Sequence, residues 1–479
     1  MTRTRSQFSS DEGRHWRPTL SGKARPFYRA IVRAIASDIK SGVLMPGVQL
    51  PTQRDLATTL GVTVNTVTRA YRHAQSLGLL SGQVGRGSFV TIPKWSTAGW
   101  DLPETRLRRT GQSTPARSAV DFLLHRPSIG LARSILPHAT GGLADHYGIR
   151  SNLDYPTQAG AERHRVAGAT WVALSGVEVD PARVILCSGA QQGLFAAMAA
   201  NTNPGDAVLV ESLNYVGIRR IADLLRIRLI GVAMTPSGMD LGAMETACLA
   251  HAPKLIVCTP TMHNPTTITM PAEARRSLLA IASRHGITVV EDDVFGPLAG
   301  SAATPLHAMT DRGVIYVTST SKAMAPGLRC GYLVVPEKEI ERYSWPILTS
   351  TWGPSPLLAD FVTNWIENGT ATQIITRQIE ESTKRVKLAQ SLLGGRYNLR
   401  SDPRTFHTWL VLPPEWDGEA LAMMLGSRNV MVSPGSLFTV DRSAVGAVRL
   451  SLGSADNTGQ LRIGLERLVD ILDHGLPLI

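Results

Sequence analysis

The chain has 479 residues, of which 43% are hydrophobic, and at about 150 residues per domain this length predicts two or three globular domains. No apolar run approaches the roughly 20 residues that cross a bilayer, and residues 1–18 lack the apolar segment of a secretory signal. We therefore expect a cytoplasmic protein without a membrane partner. The cysteines do not have the spacing of metal ligands, so no metal site is expected.

The net charge of +11 is concentrated at one end of the chain. Residues 1–117 contain 18 Lys and Arg against 6 Asp and Glu, whereas residues 118–479 contain 31 against 32. A localised positive field attracts phosphate backbones. The charge therefore predicts that the N-terminal part of the chain, which begins with a basic tail at 1–24, binds nucleic acid.

Three helices are predicted within residues 25–92. Apolar side chains recur at every fourth position across 27–40, which is the stripe of an amphipathic helix. Thr52 and Asp55 have the spacing of a capping box at the start of a second helix. A third helix is predicted to begin at Thr63. These elements indicate a small helical domain with its own core.

The third helix and the segment after it carry polar groups suited to DNA. Asn65, Thr66 and Arg69 lie opposite the apolar face of the helix, where their donors and acceptors suit phosphates and base edges. Residues 79–90 indicate two short strands joined by a glycine-rich turn with Arg86 at its tip. Three helices followed by a basic hairpin predict an α+β winged helix-turn-helix.

This stretch resembles the GntR family of DNA-binding domains. The motifs that carry the resemblance are LPTQRDLA at 50–57, NTVTRAY at 65–71 and GRGSFV at 85–90. In that family the third helix enters the major groove of a double-stranded DNA operator, and a dimer binds paired half-sites. The resemblance implies that the DNA is contacted by Arg54, Asn65, Thr66, Arg69 and Arg86.

Residues 93–119 combine Pro, Gly, Ser, Thr and Arg without periodicity, which indicates a linker. From 120 to 479, strand-like runs alternate with helix-like stretches. This alternation predicts an α/β domain with a mostly parallel central sheet covered by helices. The clearest predicted strands are ARVILC, AVLVE, LIVC, ITVVE and VIYVTS.

Ligands of such sheets bind at the carboxyl ends of the strands, so the residues that follow each strand are the candidates for chemistry. SGAQQ at 188–192 lies between a strand and a helix, where backbone N–H groups can hold a phosphate. Three further strands are followed by HNPT at 263–266, EDD at 291–293 and STSKAMAPGLRCGY at 319–332. Each motif alone is a weak signal, but their order and spacing together are specific.

This set resembles the fold-type I, aspartate-aminotransferase-like proteins that bind pyridoxal 5′-phosphate. The resemblance covers residues 120–475 and implies a smaller C-terminal α+β subdomain. It implies that Lys322 forms a Schiff base with the cofactor aldehyde, that Asp292 pairs with the pyridine nitrogen, and that Asn264 bonds the ring hydroxyl oxygen. Stacking on the ring is implied for Tyr215, and phosphate binding for Gly189, Ala190, Gln191, Ser319 and Arg329.

Two further residues match family positions outside the core of the site. Tyr155, in YPTQAG, matches a tyrosine that reaches the phosphate of the neighbouring subunit, which implies a homodimer. Arg449, in AVRLSLG, matches the arginine that binds a substrate carboxylate. Both assignments rest on the resemblance.

The sequence departs from the family pattern at two places. Val294 and Phe295 stand where a tyrosine commonly supports the ring hydroxyl oxygen, and neither side chain can donate a hydrogen bond. Thr267 replaces the glycine of HNPTG, which permits unusual backbone angles. These departures are compatible with cofactor binding but count against efficient transamination.

A GntR-type domain joined by a linker to an aminotransferase-like domain is the architecture of the MocR regulators. In that family an amine forms an aldimine in place of Lys322 and shifts the dimer between states with different DNA arrangements. The predicted function is therefore transcriptional regulation through an amine or amino acid effector, and Arg449 favours one with a carboxylate. Two alternatives stay open: an active aminotransferase that carries a DNA-binding module, and a large domain that dimerises without cofactor.

Overall fold

The computed structural model describes the elements of the N-terminal domain and most of the large domain. The described residues are 16–18, 27–40, 43–44, 48–76, 79–83, 87–90, 119–128, 155, 157–310, 312–441 and 443–474. The predicted tail at 1–24, apart from 16–18, and the predicted linker, apart from residue 119, lie outside these ranges.

The N-terminal domain has three helices and a two-stranded hairpin among its described residues. Ile31 and Ile35 of the predicted apolar stripe are fully buried, and the hairpin is antiparallel with Leu80 opposite Val90. The predicted helices and hairpin are confirmed. Their bounds are Phe27–Lys40 (α1), Gln53–Leu60 (α2), Val64–Ser76 (α3), Leu80–Gln83 (β1) and Gly87–Val90 (β2).

Both ends of α2 are set by the residues that the sequence singles out. The Thr52 hydroxyl accepts a hydrogen bond from the Asp55 backbone N–H at 3.2 Å, which satisfies a donor at the helix start. Gly61 ends the helix with φ +63, a left-handed conformation that glycine adopts without strain. The turn into α3 is therefore fixed by local chemistry.

A seven-stranded sheet forms the centre of the large domain, in the order β4-β12-β11-β10-β9-β5-β6. The strand β12, the last of the seven in the chain, lies between β4 and β11 and runs antiparallel to both, whereas the other pairs are parallel. The mostly parallel sheet is thus confirmed. Its strands are Val184–Cys187 (β4), Ala207–Glu211 (β5), Arg228–Val232 (β6), Leu255–Cys258 (β9), Thr288–Asp292 (β10), Val314–Ser319 (β11) and Gly331–Val334 (β12).

Helices cover this sheet, as the alternation of patterns predicts. A short hairpin, Met234–Thr235 (β7) with Gly238–Met239 (β8), precedes one of them. None of the helices among the described residues combines the length and apolar character needed to cross a membrane. The helices are Glu162–Ala173 (α4), Ala190–Asn201 (α5), Val216–Leu225 (α6), Leu241–His251 (α7), Ala272–Arg284 (α8), Gly296–Ala299 (α9), Ile340–Thr351 (α10) and Pro356–Glu367 (α11).

The C-terminal part forms the smaller α+β subdomain that the resemblance implies. Its four-stranded sheet has the order β13-β14-β17-β16. Beside it, Val120–Asp121 (β3) pairs in parallel with Val430–Met431 (β15). The remaining elements are Thr370–Leu393 (α12), Asn398–Ser401 (β13), His407–Val411 (β14), Gly418–Ser427 (α13), Ser433–Pro434 (β16), Ala447–Ser451 (β17) and Thr458–His474 (α14).

Two strands of the large sheet have no counterpart among the clearest predicted strands. The strand β6 lies at the sheet edge and is half exposed, so it lacks a continuous apolar run. The strand β12 is fully buried, but its first two residues are the last two of the STSKAMAPGLRCGY motif, so the sequence does not set it apart from the loop. The sheet order brings the ends of β4, β11, β10 and β9 to one edge, where the candidate residues meet.

Candidate cofactor and effector site

The turn between β4 and α5 has the features of a phosphate-binding cradle. Gly189 has φ +86, and a Cβ built on it would lie 2.6 Å from Arg329 Nη2. The same Arg329 nitrogen donates to the Ser188 carbonyl at 2.7 Å. Ala190 begins α5, so free backbone N–H groups point out of its first turn. A guanidinium and a helix N-terminus therefore meet where only a glycine leaves room.

Three other residues predicted to bind the cofactor lie around this turn. Gln191 is half-buried and its Nε2 donates to the Gly217 carbonyl at 3.4 Å, while its buried Oε1 has no partner. Tyr215 immediately precedes α6, and a Cβ on Gly217 would collide with both the Tyr215 ring and Gln191. Ser319 is buried at the end of β11, opposite Gly331. Gly217 thus allows an aromatic ring and an amide to converge.

Asp292 ends β10 as a buried carboxylate that lacks a partner on one oxygen. Its side chain is 4% exposed, and Oδ1 accepts no hydrogen bond. Burial raises the pKa of Asp292 to about 7, the charge of Asp293 adds to the rise, and the charge of Lys322 opposes it. A buried carboxylate without a partner is costly. The site therefore suits a ligand that brings a protonated nitrogen to this oxygen.

Lys322 follows β11 and is half-buried. Its Nζ donates to the backbone carbonyl of His125 at 2.6 Å. His125 was not among the predicted site residues, because no motif surrounds it in the sequence DFLLHRP. The candidate Schiff-base lysine thus has a backbone partner from a remote part of the chain.

Asn264 and Arg449 are joined directly. Arg449 Nη1 donates to Asn264 Oδ1 at 3.0 Å, and Arg449 Nη2 donates to the Leu123 carbonyl at 3.0 Å. Arg449 is 4% exposed, and its guanidinium lies 4.8 Å from the centre of the Phe438 ring. Because the Asn264 oxygen accepts from an arginine, its amide nitrogen is the donor of this side chain; it lies 3.3 Å from His125 Nδ1 and has a second hydrogen for a ligand. The predicted ring and carboxylate residues therefore form one buried network.

Tyr155 lies apart from this network. Its side chain is 78% exposed and its ring is 5.6 Å from that of Trp352, centre to centre. It is therefore an exposed aromatic residue within its own chain.

The residues predicted to contact DNA lie on α2 and α3, apart from Arg86, which lies outside the described residues. Arg54, Asn65 and Arg69 are exposed, and Thr66 is half-buried. The Arg69 guanidinium lies 4.1 Å from the centre of the Tyr28 ring, a cation–π contact that holds it against α1.

Comparison with known proteins assigns the family. The sequence model of aminotransferase class I and II matches residues 131–468, and that of the gntR family of bacterial regulatory proteins matches residues 27–90. The chain belongs to the aminotransferase class I and II family. With its gntR-family domain it has the MocR-type architecture that the sequence predicts.

Relatives and solved structures agree with this assignment. The chain is 27% identical to the uncharacterized HTH-type transcriptional regulator YdeF of Bacillus subtilis, over 96% of this chain and 97% of that protein. It is 26% identical to the HTH-type transcriptional regulator TauR of Rhodobacter capsulatus, over 84% and 88%. An archaeal alanine:glyoxylate aminotransferase shares the fold with a TM-score of 0.68 and 22% identity, over 77% of this chain and 93% of that one.

The cofactor of this class I and II aminotransferase domain is pyridoxal 5′-phosphate, and the described residues fit it. The Gly189 turn and Arg329 offer a cradle for the phosphate, and the partnerless oxygen of Asp292 suits a pyridinium N–H. Lys322 supplies the primary amine. A guanidinium, a carboxylate oxygen and a primary amine therefore lie near the ends of strands of the same sheet.

Both departures from the family pattern have structural counterparts. Thr267 adopts φ +63, so a β-branched residue occupies a left-handed position that favours glycine. Its N–H donates to the His263 carbonyl at 2.6 Å, which closes the turn. Phe295 packs on His125, with ring centres 5.6 Å apart. A hydrophobic contact therefore stands where a hydroxyl group is common in the family.

Proposed function

We propose that this protein is a transcriptional regulator that binds double-stranded DNA through its gntR-family domain and senses a primary amine through its large domain. The observation that carries the proposal is the presence, in one chain, of a DNA-binding domain and a site where Lys322, Asp292 and Arg449 converge. Relatives that match nearly the whole chain are named as HTH-type regulators, which supports the same conclusion.

The residues of the site have separate tasks in this proposal. When bound, the cofactor supplies an aldehyde that condenses with primary amines. Asp292 holds a proton on the ring nitrogen, and Arg329 and the Gly189 turn hold the phosphate. Arg449 selects amines that carry a carboxylate, because its fork of N–H groups pairs with two oxygens. The effector class is therefore an amino acid, an ω-amino acid or a diamino acid.

The proposal includes a homodimer. Tyr155 is exposed, which is compatible with a tyrosine that reaches the site of a neighbouring subunit. Two copies would also present two recognition helices to paired half-sites. The exposed Arg54, Asn65 and Arg69 supply the contacts to DNA, and the positive charge of the N-terminal part predicts a steep dependence of binding on salt.

An absorption titration tests the sensor part. The purified protein is titrated with pyridoxal 5′-phosphate and then with alanine, β-alanine and ornithine. We expect a visible absorbance band that one class of amine shifts, and a change in affinity for a duplex selected from a random pool when that amine is added. A band that shifts while DNA affinity stays constant would refute sensing, because a ligand with equal affinity for both states moves no equilibrium.

A second candidate function is transamination. It is favoured by the retention of Lys322, Asp292, Asn264 and Arg449: the last two share a buried hydrogen bond, and Lys322 lies close enough to Asp292 to oppose the rise of its pKa. Thr267 and Phe295 count against it, since they alter the loop and the contact beside the ring oxygen. Steady turnover of an amino acid with an oxo acid, many times per protein molecule, would decide for this candidate.

A further inference from the structure

Residues 119–126, which we call the connecting segment, begin at Ala119, the last residue of the predicted linker. The segment begins with β3 and lies along the small subdomain. Its backbone is held there by a series of hydrogen bonds of 2.7–2.9 Å. These bonds join Val120 to Asn429, Phe122 to Met431, Leu124 to the Ser451 hydroxyl and Asp121 to the Ser454 hydroxyl.

Two carbonyl groups of the connecting segment accept hydrogen bonds from the cations of the site. The Leu123 carbonyl accepts from Arg449 Nη2 at 3.0 Å, and the His125 carbonyl accepts from Lys322 Nζ at 2.6 Å. Hydrogen bonds from charged donors are stronger than neutral ones. Arg449 belongs to the small subdomain, whereas Lys322 follows β11 of the large sheet. His125 is therefore a point where the segment is bonded to the large sheet.

The His125 side chain fixes this point in place. The ring is 5% exposed and its Nδ1 lies 3.3 Å from Asn264 Nδ2. Its ring centre lies 5.0 Å from that of Phe406 and 4.7 Å from that of His407. A close-packed ring cannot move without its neighbours. A change at the Lys322 bond is therefore transmitted along the backbone instead of being absorbed by the side chain.

We propose that the connecting segment carries the state of Lys322 to the linker and, through it, to the DNA-binding domain. This inference rests on the proposed function. Lys322 Nζ can donate to the His125 carbonyl while it is a released amine. When the nitrogen is double-bonded to the cofactor aldehyde carbon, it keeps at most one of its three hydrogens and its position is set by the new bond, so this carbonyl loses its donor. The segment is therefore held firmly when Lys322 is released and less firmly when Lys322 is engaged.

Hydrogen–deuterium exchange of the full-length protein tests the first half of this inference. Three states are compared: cofactor-free, cofactor-loaded, and cofactor-loaded with aminooxyacetate. With aminooxyacetate, a bond from the cofactor aldehyde carbon to the oxyamine nitrogen replaces the bond from that carbon to Nζ, and the two hydrogens of the oxyamine pass to Nζ without any redox change.

We expect the peptide that contains residues 119–126 to exchange slowly in the cofactor-free and aminooxyacetate states. It should exchange about tenfold faster in the loaded state, the effect of one hydrogen bond to a charged group. The buried strand β5 serves as the internal control and should not change. Equal exchange of the segment in the loaded and aminooxyacetate states would overturn the inference. If aminooxyacetate did not alter the visible spectrum, the proposed function would fail first.

An insertion tests the second half. A Gly-Ser-Gly-Ser-Gly-Ser stretch is placed after Ser118, directly before the connecting segment, and the matched control has the same stretch after the exposed Gly205. We expect the Ser118 insertion to keep the spectral and exchange responses but to abolish the difference in DNA affinity between the loaded and aminooxyacetate states. The control should keep that difference. A difference that survives the Ser118 insertion would show that the signal takes another route.

Discussion

The N-terminal domain and the large domain place their functional side chains in opposite environments. In the N-terminal domain, Arg54, Asn65 and Arg69 are exposed on α2 and α3, and the core of the domain is formed by other residues. In the large domain, Asp292 and Arg449 are 4% exposed and are surrounded by the sheet edge and its loops. The contrast teaches that the proposed DNA contacts can change without disturbing the fold, whereas the proposed sensing site and the stability of the large domain depend on the same residues.

The largest expected effect comes from the amine of the site. Lys322→Ala removes the only group proposed to bond the aldehyde covalently, so the visible absorbance band should be lost completely. Absorption spectra of the variant with added cofactor measure this. The exposed Lys338 offers a matched control, since Lys338→Ala removes the same charge elsewhere. A band of unchanged position and height in Lys322→Ala would assign the chemistry to another residue.

The next effect comes from the glycine of the phosphate cradle. In Gly189→Ala the positive φ should lower the free energy of unfolding by about 1–3 kcal/mol. The new Cβ would also lie 2.6 Å from Arg329 Nη2, so this side chain would have to move. Because Arg329 is proposed to hold the phosphate, its displacement should weaken cofactor binding more than about tenfold, which corresponds to about 1.4 kcal/mol of binding free energy. Gly205→Ala has φ +94 with no heavy atom within 4 Å. The Gly205→Ala protein should be less stable but should bind the cofactor as tightly as the parent protein. Equal cofactor affinities in the two variants would show that the Gly189 turn does not hold the phosphate.

A substitution among the exposed residues of the N-terminal domain should change DNA affinity without changing stability. Arg69→Ala should weaken DNA binding by about 1–3 kcal/mol, the range for one good base contact, with the melting temperature unchanged. Fluorescence anisotropy and thermal unfolding measure the two quantities. Arg33→Ala removes the same charge from an exposed position on α1 and should cost less affinity. A fall in melting temperature for Arg69→Ala would indicate that its contact with Tyr28 is structural.

The smallest effect concerns pH. The pKa of Asp292 is about 7 in the cofactor-free fold against 3.8 ordinarily, so the folded state holds the proton more tightly than the unfolded chain. The stability that the folded state gains by holding this proton is fully present below about pH 4 and is lost as the pH rises to about 7. Asp292→Asn should reduce the slope of unfolding free energy in that window by up to about 1.4 kcal/mol per pH unit.

Urea unfolding between pH 4 and 8 measures this slope. The variant should flatten the slope without abolishing it, because burial also raises the pKa of Glu211 to about 7. Asp223→Asn, at an exposed position, should leave the slope as in the parent protein. An unchanged slope in Asp292→Asn would place the titration on Glu211 and its neighbours.

Much of the fold follows from local patterns, and the structure agrees with them. Thr52 and Gly61 fix the ends of α2 through their own hydrogen bonds and backbone angles, so no tertiary information is needed there. The strands β4 and β9 are uniformly apolar, and β5 is apolar up to Glu211, because these strands are buried on both faces. Period and turn chemistry therefore suffice for these elements.

The network inside the site could not be derived in the same way. The His125 carbonyl meets Lys322 across 197 positions of sequence, and Arg449 meets Asn264 across 185. Such contacts depend on how two subdomains close against each other, which no local pattern records. The resemblance supplied the roles of Lys322 and Asn264, but it contained no information about a backbone carbonyl, since any residue type provides one.

The position of β12 has a consequence for the order of assembly during synthesis. The strand β12 lies between β4 and β11 in the sheet, although β4 (Val184–Cys187) is synthesised about 147 residues before β12 (Gly331–Val334). The strands β5, β9, β10 and β11 can pair with one another as they emerge, but β4 has no partner in the sheet until β12 arrives. Pairing over such separations is slow, and Arg329 is delivered to the Ser188 turn by the same step. A nascent chain that ends before residue 331 would therefore expose the open edges of β4 and β11, the kind of surface on which chaperones act.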